Sequence, residues 1–351
     1  LSRGLDPAQH ELSSALLQGE MTMPSQFSRR EFLASLGVLA AAAPLSGADL
    51  LSSSTSNATP LGKSPFKISV INDEISQDFG HACEVASQQF GMEWIEIRSL
   101  WNKSIVNLDA KEIAEAVAIL KKNNLRVTDI ASPLFKVDWP GAPKSKFSPE
   151  HSQFNADFTY DQQGEVLDRS IELARKFSTD RIRCFDFWRL DDQAPHRHAI
   201  NEALQNAAEK VGKAGLVLVL ENEFACNTAT GAEAAKTLAG VPSRHLMLNW
   251  DPGNAAMRGE KPYPDAYNLL PKDRIGHCHC KDIVKTEKGY EWAAMGKGTI
   301  DWTGQFAALK RDGYHHAVSL ETHWRGAGSP EASSIQSWAG MKEALQKAGA
   351  L

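Results

Sequence analysis

The chain has no clustered run of lysine and arginine, and its formal charge is -5. A nucleic-acid backbone is held by clustered basic side chains, so nucleic acid is a poor candidate partner. Once the N-terminal segment is set aside, no apolar stretch is long enough to span a bilayer. Cysteine is scarce. Cys83, Cys184, Cys226, Cys278 and Cys280 are scattered and odd in number, which argues against a disulfide framework even in an oxidising compartment. No short repeat at solenoid period is present. Nor does a glycine-rich turn follow the first apolar strand, where Ile71-Asn-Asp-Glu-Ile75 stands instead. That counts against a doubly wound dinucleotide-binding sheet.

The N-terminus reads as targeting sequence. Ser28-Arg29-Arg30-Glu31-Phe32-Leu33 precedes a short alanine-rich apolar run, Ala34 to Ala43. Twin arginines, a mildly apolar run and small residues resemble a bacterial twin-arginine export signal, with cleavage near Ala43 or Ala48. Residues before Met21 or Met23 read as an upstream extension, and Ser46–Lys63 as a linker rich in small polar residues. The expected organisation is therefore 1–63 as extension, signal and linker, and 64–351 as a single domain in the periplasm or outside the cell.

Within that domain the most informative stretch is Leu216–Phe224, Leu-Val-Leu-Val-Leu-Glu-Asn-Glu-Phe. Five apolar residues in a row read as a strand buried on both faces, as in a parallel sheet. Seven more strands are expected: Phe66–Ile71, Trp94–Arg98, Leu125–Ile130, Arg181–Phe185, His245–Trp250, Ile275–Cys280 and His316–Leu320. A helical pattern follows each one. Eight such units over roughly three hundred residues predict an α/β fold of the (β/α)8 TIM-barrel type. The long segment from Leu134 to about Gln162 is expected to be a lid or rim of the pocket.

Four consecutive strands end in side chains able to bind a metal: Glu221, Asp251, His279 and Glu321. In a barrel, neighbouring strand ends converge on one mouth. Three carboxylates and an imidazole suit one divalent ion, with Mn, Mg, Co, Fe and Zn all admissible. Removing a proton beside a carbonyl is too costly in water. A divalent ion on the substrate oxygens stabilises the resulting charge, and carboxylates can then take and return the proton. Cys278 and Cys280 alternate with the two histidines of their strand and are expected to face outward as packing residues. His277 is expected one layer deeper, as a core histidine. Further expectations are that Lys281 contacts a substrate oxygen or is solvated, that Glu223 lies beside Glu221 or on the exposed rim, and that Arg98 reaches substrate or pairs with Glu96. Trp139, Trp188 and Trp292 are loop aromatics suited to sugar faces, and His323 follows Glu321 closely enough to line the pocket.

These motifs resemble those of the sugar phosphate isomerase/epimerase superfamily, the xylose isomerase-like TIM barrels. The carrying sequences are Leu-Glu-Asn-Glu around Glu221, Trp-Asp-Pro-Gly-Asn around Asp251, Gly-His-Cys-His-Cys-Lys-Asp around His279, and Gly-Lys-Gly…Asp-Trp leading to Ser-Leu-Glu at Glu321. The resemblance implies that Glu221, Asp251, His279 and Glu321 bind one divalent metal. It favours His279 over His277, because the family ligand stands just before x-Lys-Asp. It also implies that Glu221 and Glu321 shuttle the proton of a sugar or keto-sugar in an isomerase or epimerase. One position departs: ketose epimerases carry His three residues after the Asp ligand, and this chain has Asn254, which can donate to a substrate oxygen but cannot titrate. The same site also serves keto-sugar and inosose dehydratases or lyases. A non-catalytic periplasmic carbohydrate-binding protein and an AP-endonuclease-like nuclease are further readings; the nuclease would need more histidines at the strand ends. Homo-oligomerisation is left open.

Overall fold

The computed structural model describes residues 61–149 and 158–351. The twin-arginine segment, the upstream extension and the centre of the expected lid lie outside the described residues. Eight parallel strands follow one another around a ring: β1 Lys67–Val70, β2 Trp94–Ile97, β3 Arg126–Ile130, β4 Arg181–Cys184, β5 Val217–Glu221, β6 Leu246–Trp250, β7 Ile275–Cys280 and β8 Ala317–Leu320. Neighbours pair in the order β1-β8-β7-β6-β5-β4-β3-β2. A parallel bridge from Ile71 to Glu96 joins the two ends, giving a nearly closed barrel. All eight expected strands are present, each within a few residues of its expected bounds.

A strand buried on both faces explains why β5 reads as continuously apolar. On β5, Leu218 and Leu220 join the hydrophobic core together with Leu204, Ala208 and Val211 of the helix Arg197–Lys213. Their neighbours Val219 and Glu221 are equally buried but stand apart from that core. They face the lumen, so one strand fills two environments. Cys278 and Cys280 belong to the outer core, as expected from their alternation with His277 and His279. All five cysteines are free thiols.

Helix starts follow local chemistry. Asp109 caps Ala110–Lys122 through a reciprocal capping box with Glu112, and Asp301 accepts from the Gly304 amide at the start of Trp302–Arg311. Two elements escape the sequence pattern. Pro252–Met257 is a short helix capped by Asp251 itself, and Asp282–Thr286 with Gly289–Ala293 forms an antiparallel hairpin beyond β7. Among the described residues no helix is long and apolar enough to cross a membrane.

Candidate metal centre

The ends of β5 to β8 bring Glu221, Asp251, His279 and Glu321 together. One donor atom from each lies within 4.8 Å of all the others, and all four residues are buried. His279 Nδ1 is central, 3.5 Å from Glu221 Oε1, 3.8 Å from Asp251 Oδ2 and 3.3 Å from Glu321 Oε2.

Each carboxylate is aimed by the chain around it. Asp251 turns one oxygen back to its own helix, where Oδ1 accepts from the Asn254 amide at 2.8 Å. This leaves Oδ2 for the centre. Asn222 fixes the Asp251 backbone, accepting from its N–H at 2.7 Å and donating to its carbonyl at 2.8 Å. The Leu-Glu-Asn-Glu motif therefore supplies both one member of the group and the clamp on another. The Asn254 side chain donates to Glu221 Oε1 at 3.1 Å, so it orients Glu221; in this structure it does not present itself to a substrate oxygen. Arg183, a charged residue alternating with Ile182 and Cys184 on β4, places Nη1 3.2 Å from Glu221 Oε2. It carries no special signature in the sequence apart from that alternation.

Lys281 is almost fully buried, with Nζ 2.8 Å from Asp251 Oδ2 and 2.5 Å from Glu321 Oε2. A solvated lysine is excluded. Its stem passes close to Gly253, where a Cβ would come within 2.6 Å of Lys281 Cγ, which accounts for glycine in the Asp-Pro-Gly-Asn turn. The following Asp282 turns away and receives the amides of Ile283, Gly296, Gly298 and Ile300, tying the hairpin to the barrel mouth.

Arg98 does not pair with Glu96. Its guanidinium donates to Asp73 at 3.0 Å, Glu74 at 2.7 Å and Glu321 at 2.8 Å. On the ring β1 lies between β2 and β8, so the residues that follow these three strands meet at one corner of the mouth. Glu96, two positions earlier, lies deeper, against the histidines. Glu223 is buried with Lys136 Nζ at 3.4 Å, not exposed on the rim. His323 contacts Glu74 at 3.2 Å and meets Trp292 edge to face, with ring centroids 4.9 Å apart. Trp292 also lies under Lys281 and beside Phe224. Trp139 and Trp188 are buried in packing. A second trio, Glu74, Glu321 and His323, also converges, but Arg98 already supplies its cation.

Electrostatics favour a cation among the four. Burial pushes Asp251 up to about 6 despite Lys281, with Glu221 and Glu321 adding repulsion. Burial also opposes charge on Glu221, but His279 and Arg183 outweigh it and hold the group down at about 2. Glu321 is held well below the ordinary range: burial is overcome by Lys281, His323 and His279. Burial works against the His279 imidazolium, yet Glu96, Glu221 and Glu321 lift it well above the usual histidine value. His279 Nδ1, at the middle of the group, has no hydrogen-bond partner, while Asp251 Oδ2 and Glu221 Oε2 meet the charges of Lys281 and Arg183. Orphaned buried polar atoms are costly. A carboxylate-rich set with one imidazole is a donor set that a divalent ion satisfies. The residues present therefore fit a metal.

Comparison with known proteins agrees with this architecture. The model of a family described as xylose isomerase-like TIM barrel matches residues 85–344. The chain belongs to that family. Several solved structures share this fold. A probable 3-DHS dehydratase from Bacillus anthracis is 18% identical with a TM-score of 0.60, covering 79% of this chain and 97% of its own. A 3-keto-D-glucoside 4-epimerase from E. coli is 19% identical with a TM-score of 0.59, covering 79% and 99%. A xylose isomerase-like TIM barrel protein from Mycobacterium smegmatis in complex with magnesium is 16% identical with a TM-score of 0.56, covering 77% and 88%. Comparison with curated proteins finds no match.

Proposed function

We propose that the chain is a divalent-metal-dependent enzyme that moves a proton next to the carbonyl of a sugar or keto-sugar, as an isomerase or epimerase. The observation that carries the reading is the convergence of Glu221, Asp251, His279 and Glu321, with His279 Nδ1 unpartnered at its middle. These four residues would hold the ion. When bound, a divalent ion stabilises negative charge developing on a substrate carbonyl oxygen.

The chain's own groups supply the rest. Glu221 and Glu321 are both ionised at neutral pH, so both can accept a proton and return it. Asn254 and Arg183 hold Glu221 in place, and Arg98 and Lys281 hold Glu321. Lys281, held between Asp251 and Glu321 at the same mouth, is a cation that would donate to a substrate oxygen there. Trp292, Phe224 and His323 offer ring faces at the same mouth. The named activities of the similar barrels, a 4-epimerase acting on a 3-keto-D-glucoside and a dehydratase, support chemistry of this class. Export through Ser28–Ala43 is part of the proposal, and it points to a free sugar or glycoside as substrate.

The test is a metal-replete screen of keto-sugars and keto-glycosides in heavy water. Deuterium is expected at the carbon beside the carbonyl, and the product distinguishes epimerisation, isomerisation and loss of a β-hydroxyl. Sugar binding with no exchange on any member would instead favour a carbohydrate-binding protein.

A further inference from the structure

Below the four-residue group lies a carboxylate the proposed reaction does not use. Glu96 of β2 is fully buried and reaches across the lumen to β7, three strands away around the ring. Its two oxygens divide between two rings: Oε2 lies 3.0 Å from His277 Nε2 and Oε1 2.9 Å from His279 Nε2. The rings stand nearly perpendicular, at 87°, with centroids 5.3 Å apart. One carboxylate bridging two perpendicular imidazoles fixes the rotation of both.

We infer that Glu96 is a positioning residue for the metal centre, holding the proton of His279 on Nε2 and so committing Nδ1 to the ion. The inference rests on the four-ligand reading above. An ionised carboxylate accepts hydrogen bonds and donates none, so a ring nitrogen in contact with it must carry its proton. Only Nδ1 is then left to coordinate, and Nδ1 is the atom that faces Glu221, Asp251 and Glu321 without a partner. The Asn249 carboxamide lies 3.1 Å from the same Nε2, and its own oxygen has no partner. A half-turn of that amide makes it a second acceptor for the Nε2 proton. His277 completes the clamp by occupying the other Glu96 oxygen, with Asp129 a further 3.8 Å contact. Ligating histidines commonly anchor their far nitrogen in this way, and the ring then arrives correctly turned and more basic.

The full-length protein with 15N-labelled histidines is to be compared metal-free and with one equivalent of 113Cd. A proton on His279 Nε2 is expected in both states, with cadmium coupling appearing on Nδ1 only. Glu96→Gln is expected to bind cadmium about 10–100-fold more weakly by calorimetry, with circular dichroism still that of the folded barrel. If that variant does not fold, the wild-type spectrum decides: coupling on Nε2, or an Nε2 without its proton, overturns the inference. Equal cadmium affinity in folded Glu96→Gln overturns it as well. A folded wild type that takes up no cadmium overturns the four-ligand reading, and this inference with it.

Discussion

Glu321→Gln and Glu221→Gln are each expected to lower the rate of solvent-deuterium incorporation into a keto-sugar by about 10²–10⁴-fold, the usual contribution of a positioned acid–base group. The amide keeps the shape of the side chain and one potential donor oxygen, but it cannot accept the substrate proton. The two changes should differ in their side effects. Glu321 neutralises Arg98 and Lys281, so its loss leaves two buried cations undercompensated. Among the described residues, Glu221 has only Arg183 as a cationic side-chain partner besides His279. Glu221→Gln should therefore stay closer to the wild type in thermal midpoint, while Glu321→Gln should fall below it. Metal content measured alongside the rate separates loss of a proton carrier from loss of a ligand. A variant that keeps the ion and loses exchange identifies the carrier. Exchange at the wild-type rate in both would remove these carboxylates from the chemistry.

The largest effect on stability is expected at Arg98. Its guanidinium is buried and serves Asp73, Glu74 and Glu321 at once. Burial opposes ionisation of Glu74, yet Arg98 with His323 and Arg325 holds it at about 2. Arg98→Met fills similar space and strands those carboxylates without their shared cation. A loss of about 3–5 kcal/mol is expected, as for breaking a buried ion pair from one side. The control is Arg325→Met. Arg325 meets the same Glu74 at 2.6 Å, but from the half-exposed rim. Its loss should cost about 1 kcal/mol or less, since water screens such pairs. Denaturant unfolding of both variants checks the contrast. Equal costs would mean that the corner does not depend on Arg98.

The barrel and the convergence of Glu221, Asp251, His279 and Glu321 were legible in the sequence for the same reason. Each strand is a short β-type run between turn signals, and each of the last four leads to a group that can bind a metal. Consecutive strands are neighbours, so Glu221, Asp251, His279 and Glu321 need only local rules to meet. What escaped were contacts that depend on ring closure or on reach across the lumen. Arg98 finds Glu321 because β1 brings β2 and β8 to one corner, although the two residues are 223 positions apart in the chain. Glu96 finds His279 through the interior, 183 positions away. Lys281 continues the inward face of His277 and His279, and Gly253 leaves room for its stem. The helix Pro252–Met257 is too short for periodicity to reveal, and the hairpin after β7 packs on the core through little more than Ile283 and Trp292. Asn254 shows the limit of motif comparison. The resemblance led to the expectation of a donor to substrate, and here its side chain donates to Glu221.

The central claim is that four strand tips share one cation. Crystals soaked in manganese or zinc, with anomalous diffraction collected at the metal edge, test it most directly. The account predicts a single strong peak within bonding distance of Glu221, Asp251, His279 Nδ1 and Glu321, lost in Asp251→Asn or His279→Gln. Millimolar metal with no peak there, or a peak only at surface carboxylates, would contradict it.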